Sequence, residues 1–239
     1  MMFSAVARGD MVQVIVPGSA DPWLAGMPDG STASLGDFAP QQSPVDVPGL
    51  GYSSGGVLTF SVKGSVNYGG GPPVDPPDGN FAFVVQHATG AENGISNVIA
   101  PVDSLLGVFL GPDQPNLTGA PGTLDFSTSA ARDASSFSPE LKQVFFIGDG
   151  LAPGGVTQQF VIPDGATRLF LGTMNGFGWW NNSGSFQVDV TGPALAAVPE
   201  PSSAWLLTVG ALSVAALARL RRGGRLGTAA RSNPEKNAD

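Results

Sequence analysis

The sequence predicts an all-β domain with many turns, followed by a short apolar segment and a basic tail. Three observations carry this. Glycine (34) and proline (21) make up nearly a quarter of the 239 residues, yet apolar residues still reach 42 % and fall in short runs. Turn-forming clusters separate those runs, giving seven to nine strand candidates, the pattern of a β-sandwich. No run alternates with a helical pattern, so a doubly wound parallel sheet is not expected, and no repeat of 20–50 residues is evident.

The elements follow in order. Residues 11–17 (MVQVIVP) form a first strand, β-branched and partly alternating. Residues 18–45, rich in Gly, Ser, Asp and Pro, form a long loop with Trp23 and Leu24 as apolar plugs. In 56–68 (GVLTFSVKGSVNY), Leu58, Phe60 and Val62 alternate with Thr59, Ser61 and Lys63, as a half-buried strand requires. Residues 69–80 (GGGPPVDPPDGN) are a loop whose prolines cannot donate to a ladder. Residues 81–86 form a short strand or a helical turn. Within 97–111 a strand is expected at 104–110, and 115–140 lacks clear periodicity, with a short helix around 136–141. Strands at 143–147, 158–162, 168–172 and 185–190 complete the domain, with a Pro163-Asp164-Gly165 turn between the second and third of these.

Charge divides the chain. Residues 1–200 carry five Lys/Arg against 17 Asp/Glu, a net −12, whereas residues 201–239 carry six against two, a net +4. So acidic a body has little with which to neutralise phosphates, and nucleic acid is not an expected partner. There are no cysteines, which excludes a disulfide framework, cysteine-ligated zinc and a thiol nucleophile.

Residues 204–218 (AWLLTVGALSVAALA) are uncharged and free of proline, and as a helix would run about 22 Å. That is short of the roughly 20 residues a bilayer usually takes, but flanking residues and snorkelling arginines extend it. The alternative is a buried C-terminal helix of a soluble domain. Arg219, Arg221, Arg222 and Arg225 cluster where the run ends. That arrangement predicts a single transmembrane helix over 204–220 with residues 221–239 as a basic, polar cytoplasmic tail. Pro199 and Pro201 keep the segment before it extended.

Val198-Pro199-Glu200-Pro201, the apolar run and the arginine cluster together resemble the PEP-CTERM sorting signal. The resemblance covers about 25 residues and implies export and recognition by an exosortase. It also implies cleavage near Pro199-Glu200-Pro201 and a place in the envelope or matrix of a Gram-negative bacterium that makes exopolysaccharide. The polar extension 227–239 departs from that pattern. Residues 1–10 (MMFSAVARGD) contain no apolar core, but Ala5-Val6-Ala7 fits a small-x-small cleavage site, so they read as the remnant of a signal peptide region. The expected organisation is this remnant, a β-sandwich domain over 11–192, a linker over 193–203, the helix and the tail.

The stretch FLGTMNGFGWWNNSGSFQVDV (170–190) carries the candidate site. Gly176, Gly178 and Gly184 supply positive φ, and Asn181 and Asn182 tolerate it, so one reading is a long hairpin loop with aromatic plugs. The other is chemical. Asparagine and backbone carbonyls are hard oxygen donors suited to Ca²⁺, and Asn181 and Asn182 converge if the turn is left-handed. Trp179 and Trp180 then offer an apolar face to a sugar.

Residues 55–190 also resemble the calcium-dependent galactophilic bacterial lectins of the PA-I type. The matching pieces are 56–69 (GVLTFSVKGSVNYG), 100–107 (APVDSLLG), 160–163 (FVIP), 169–172 (LFLG) and, most closely, 181–186 (NNSGSF). The resemblance implies a jelly-roll-like β-sandwich of galactose-binding-like form. It also implies a calcium ion held by the carbonyls of Tyr68 and Gly178, the side chains of Asn181 and Asn182, and Asn175 in place of an aspartate. Since calcium affinity follows ligand charge, that amide leaves a weak site unless Asp103 or Asp149 stands in. The histidine loop that touches sugar in that family has no match, and His87, the sole histidine, reads as a surface residue.

Catalysis is not expected. The acids lie mostly in Gly/Pro loops, as Asp75 and Asp78 do, rather than facing across a cleft on strands. No nucleophile elbow accompanies His87, and no phosphate-cradling glycine motif precedes a helix. The expected function is an exported, lectin-like domain that binds carbohydrate or exopolysaccharide with weak calcium assistance. The alternative is a structural envelope or matrix protein with a degenerate site.

Overall fold

The computed structural model describes residues 10–34 and 36–194. The expected sorting residues Pro199, Glu200, Pro201, Arg219, Arg221 and Arg222 lie outside these, as do the helix at 204–220 and the signal remnant up to residue 9. Among the described residues no helix is long and apolar enough to cross a membrane.

The chain is all-β. Its strands are β1 (Asp10–Pro17), β2 (Thr32–Ala33), β3 (Asp37–Phe38), β4 (Val45–Asp46), β5 (Val57–Asn67), β6 (Asn80–Gln86), β7 (Val98–Val102), β8 (Leu105–Leu110), β9 (Leu124–Asp125), β10 (Ser136–Phe137), β11 (Val144–Phe146), β12 (Leu151–Ala152), β13 (Val156–Thr157), β14 (Gln159–Val161), β15 (Arg168–Thr173) and β16 (Ser183–Gly192). A five-stranded sheet has the order β1-β16-β5-β14-β10, and a four-stranded sheet the order β11-β8-β15-β4. A smaller sheet, β6-β7-β9, lies beside the site.

The period-2 pattern of 56–68 becomes β5, with Leu58, Phe60 and Val66 turned inward. β16 pairs along it from Ser183↔Asn67 to Thr191↔Thr59 and turns Phe186, Val188 and Val190 to the same side. Gly64 stands opposite Phe186 at φ +109, and a Cβ there would lie 2.4 Å from the Ser185 carbonyl oxygen, so only glycine fits. β8 (LLGVFL) is buried at every residue, as an uninterrupted apolar run demands. The two larger sheets share one core: Phe145 of β11 meets Phe160 of β14 at 5.7 Å between ring centroids, and Phe160 meets Phe60 edge-on at 4.9 Å. Each such buried ring contributes roughly 1.5–3 kcal/mol.

Several expectations are corrected. Residues 98–102 (VIAPV) form the separate strand β7, which the sequence obscures because Pro101 cannot donate to a ladder. The helix expected at 136–141 lies instead at Ser129–Arg132, where Thr128 caps it by accepting the Ala131 N–H, and 136–137 is strand β10. Residues 81–86 are strand rather than helical turn.

Candidate functional site: an aromatic cleft beside the paired asparagines

The ends of β5 and β7, the edge strand β6 and the loop after β15 enclose a cleft of about 420 Å³. Tyr68 and Gly69 line it from the first, Val102 from the second, Phe83 and Val85 from the third, and residues 175–178 with Trp180 and Asn181 from the loop. Four of the five expected cation ligands, Tyr68, Asn175, Gly178 and Asn181, therefore border a single cavity although the first is more than 100 residues from the rest.

Local backbone chemistry sets the loop. Gly178 is left-handed (φ 76, ψ 63) and opens a 3-10 turn over Trp179–Asn181, while Asn182 is extended (φ −71, ψ 151). The convergence of both asparagines in a left-handed turn is thus corrected: the left-handed residue is Gly178. Gly178 offers the turn no capping side chain, and the cap comes from a distance. Asp37, fully buried on β3, accepts the N–H groups of Trp179 and Trp180, each at 2.9 Å, and that of Gly178. Burial raises the Asp37 carboxyl above its ordinary range, and these three N–H groups and the nearby His87 oppose the rise.

The tight turn sends consecutive indoles in opposite directions. Trp179 is fully buried, donates its Nε1–H to the Thr173 carbonyl at 2.9 Å and packs on Trp23 and His87. It is a core residue, which corrects its expected place at a ligand. Trp180 is 64 % exposed and Phe177 60 %, and both line the cleft. His87 is also corrected: it is buried, not superficial, and stacked on Trp23 at 3.8 Å. Its Nδ1 faces the Gly90 carbonyl at 2.8 Å and its Nε2 the Ser34 hydroxyl at 2.8 Å. Burial lowers its pKa, which keeps the imidazole neutral, against the Gly90 carbonyl and the charges of Glu92 and Asp37.

The asparagine amides are bonded to one another. Asn175 donates its Nδ2–H to Asn182 Oδ1 at 3.1 Å, and its own Oδ1 accepts the Gly176 N–H at 2.7 Å. Asn182 in turn donates to the Gly18 carbonyl at 2.9 Å. The Asn182 side-chain oxygen is thus engaged by an amide N–H. No carboxylate lines this cleft, so every available donor is neutral. Of the expected ligands, then, the carbonyls and amides of Tyr68, Asn175, Gly178 and Asn181 line the cleft as neutral oxygens, while Asn182 is engaged by Asn175.

The two acids considered as replacements are placed elsewhere. Asp149 borders a separate cleft of about 300 Å³ with Asp78 and Asp133. Asp103 sits behind the aromatic cleft with no exposure and in the left-handed region (φ 68). Its Oδ2 accepts the Tyr68 N–H at 3.1 Å, and its carboxyl group meets that of Asp75. Burial first, then the bond to Asp75 and its charge, push the Asp103 pKa up to about 8, so at neutral pH the Asp103 carboxyl keeps its proton. Asp103 Oδ1 is buried with no hydrogen-bond partner among the described residues.

Sequence reasoning missed Asp37, Asp75, Phe83, Val85, Val102 and Phe177 as parts of the site. Phe177 carried a signal, an aromatic residue between two turn glycines where no core position is available. Asp37 carried none, since one aspartate in a Gly-rich loop does not announce a cap 142 residues away. No family model matches this chain, and neither the curated proteins nor the solved structures give a match.

Proposed function

We propose that this protein is an exported carbohydrate-binding domain whose jelly-roll-like β-sandwich offers the aromatic cleft to a sugar of the cell-surface matrix. The observation that carries the reading is the exposure of Trp180 and Phe177 on the walls of a 420 Å³ cavity. Large exposed aromatic rings at a concave site cost solubility without adding to the core, and their flat apolar faces suit the C–H face of a pyranose. Among the described residues the Asn181 amide, the Tyr68 hydroxyl and the Trp180 indole N–H have no hydrogen-bond partner within the chain, so they are free for sugar hydroxyls. The docking we propose uses no calcium, because the amide pair Asn175–Asn182 is closed on itself.

Export and envelope sorting belong to the same proposal. They rest on the Pro199-Glu200-Pro201 motif, the apolar run 204–218, and the arginines Arg219, Arg221 and Arg222; in this proposal residues 204–220 cross the inner membrane as a single transmembrane helix. An exosortase would remove that helix and leave the domain outside the inner membrane.

The test is binding of oligosaccharides and of exopolysaccharide to the parent and to Trp180→Ala, read by tryptophan fluorescence and calorimetry. Removing a central stacking indole costs about 2 kcal/mol, a loss of roughly 30-fold. Equal binding by both proteins refutes the assignment of the site. The closed amide pair also favours a second reading, a structural matrix protein in which a former cation site has been sealed; it predicts that neither protein binds any saccharide.

A further inference from the structure

The cleft is uneven in its chemistry, and this selects among sugars. Resting on the carbohydrate-binding reading above, we infer that its occupant is a neutral sugar bearing an apolar substituent, a 6-deoxy or N-acetylated hexose, with the methyl group at the inner end. Val102, only 2 % exposed, closes that end with Val85 beside it, and Phe83, Phe177 and Trp180 form the walls. The polar side chains of the lining are few. The Asn175 amide is consumed by Asn182 and Gly176, which leaves Asn181, Tyr68 and the indole N–H of Trp180.

A fully hydroxylated hexose brings more hydroxyls than these groups can satisfy, and a hydroxyl pressed against Val85 and Val102 loses water without gaining a partner. A methyl group there loses nothing and buries apolar area. Anionic sugars are disfavoured by the same surroundings. The described residues hold four cations against sixteen acids, and no Lys or Arg lines the cleft to receive a carboxylate.

Matched pairs of methyl glycosides test this on the full chain, by fluorescence titration confirmed by calorimetry. The pairs are D-galactose against its 6-deoxy form, D-mannose against its 6-deoxy form, and D-glucose against N-acetyl-D-glucosamine, with methyl glucuronide as the anionic probe. In at least one pair the deoxy or acetylated member is expected to bind about tenfold tighter, which is 1.4 kcal/mol, and the glucuronide not at all. Phe83→Ala, at an exposed position, is expected to shrink that preference while leaving the fold intact; Val102→Ser is expected to reverse it by giving the hydroxyl a partner. Equal affinity within every pair, lost in Trp180→Ala, overturns this inference and leaves sugar binding standing. Tighter binding of the glucuronide than of the neutral sugars overturns it in the same way. Absence of binding by every probe and by exopolysaccharide overturns both.

Discussion

Replacing Asp103 by asparagine removes the proton that the buried Asp103 carboxyl holds and leaves its shape. The asparagine carbonyl still accepts the Tyr68 N–H, which Asp103 Oδ2 now holds at 3.1 Å, and its NH₂ donates to Asp75 in place of the carboxyl O–H. Asparagine also takes the left-handed backbone that Asp103 adopts (φ 68) at least as readily. What changes is the dependence on pH. The Asp103 pKa is about 8 in the fold and about 3.9 in the unfolded chain. Between those values the native state holds one more proton than the unfolded state, so stability falls as pH rises, by about 1.4 kcal/mol per pH unit. The contribution is complete below about pH 4 and gone above about pH 8. The introduced amide does not titrate, so the variant lacks this slope. From pH 5 to pH 8 the stability of Asp103→Asn relative to the parent should therefore rise by about 4 kcal/mol, or roughly 10 °C in melting temperature for a domain of this size. Urea and thermal unfolding at half-unit pH intervals, followed by circular dichroism, measure it. Working from the difference cancels the other shifted groups, among them Asp21, Asp37, Asp46 and Asp78, whose raised pKa values act in the same direction. Stability curves for the two proteins that run parallel across this range would refute the raised Asp103 pKa.

Asp37→Asn leaves one oxygen for the N–H groups of Trp179 and Trp180 and turns an NH₂ against the other. A buried donor is then unpaired, so a loss of roughly 1–3 kcal/mol is expected in unfolding experiments, with weaker sugar binding because Trp180 is no longer fixed. An unchanged melting temperature would remove Asp37 from its capping role. Millimolar calcium should leave the melting temperature of the parent where it is, since any ligand bound only by the native state must raise it. An upward shift that chelator reverses would show that the Asn175–Asn182 pair opens to admit the ion.

Much of the β framework was legible because it depends on local pattern. The alternation of 56–68, the apolar run at 105–110 and the Pro-Asp-Gly turn at 163–165 each fix burial or chain reversal over a few residues. The plugs Trp23 and Leu24 were legible too, since a large apolar pair in a polar loop has nowhere to go but inward, and both are buried. The site was legible only as a place. Tyr68 and residues 175–178, 180 and 181 do border one cavity, but which indole faces it, and what the amides hold, were not written in any window of sequence.

By itself, then, the sequence determined an acidic, turn-rich all-β body and the glycine-bounded loop that borders the cleft, because hydrophobic period and turn chemistry act between near neighbours. Only the tertiary structure decided that Trp179 is core and Trp180 surface, that His87 is buried against Trp23, and that the asparagine amides satisfy each other. Those outcomes depend on partners as distant in the chain as Asp37 and Gly18. A hydrogen bond or a stacked ring is chosen by which groups the packed sheets bring within about 3–4 Å, a distance that spacing along the chain does not set.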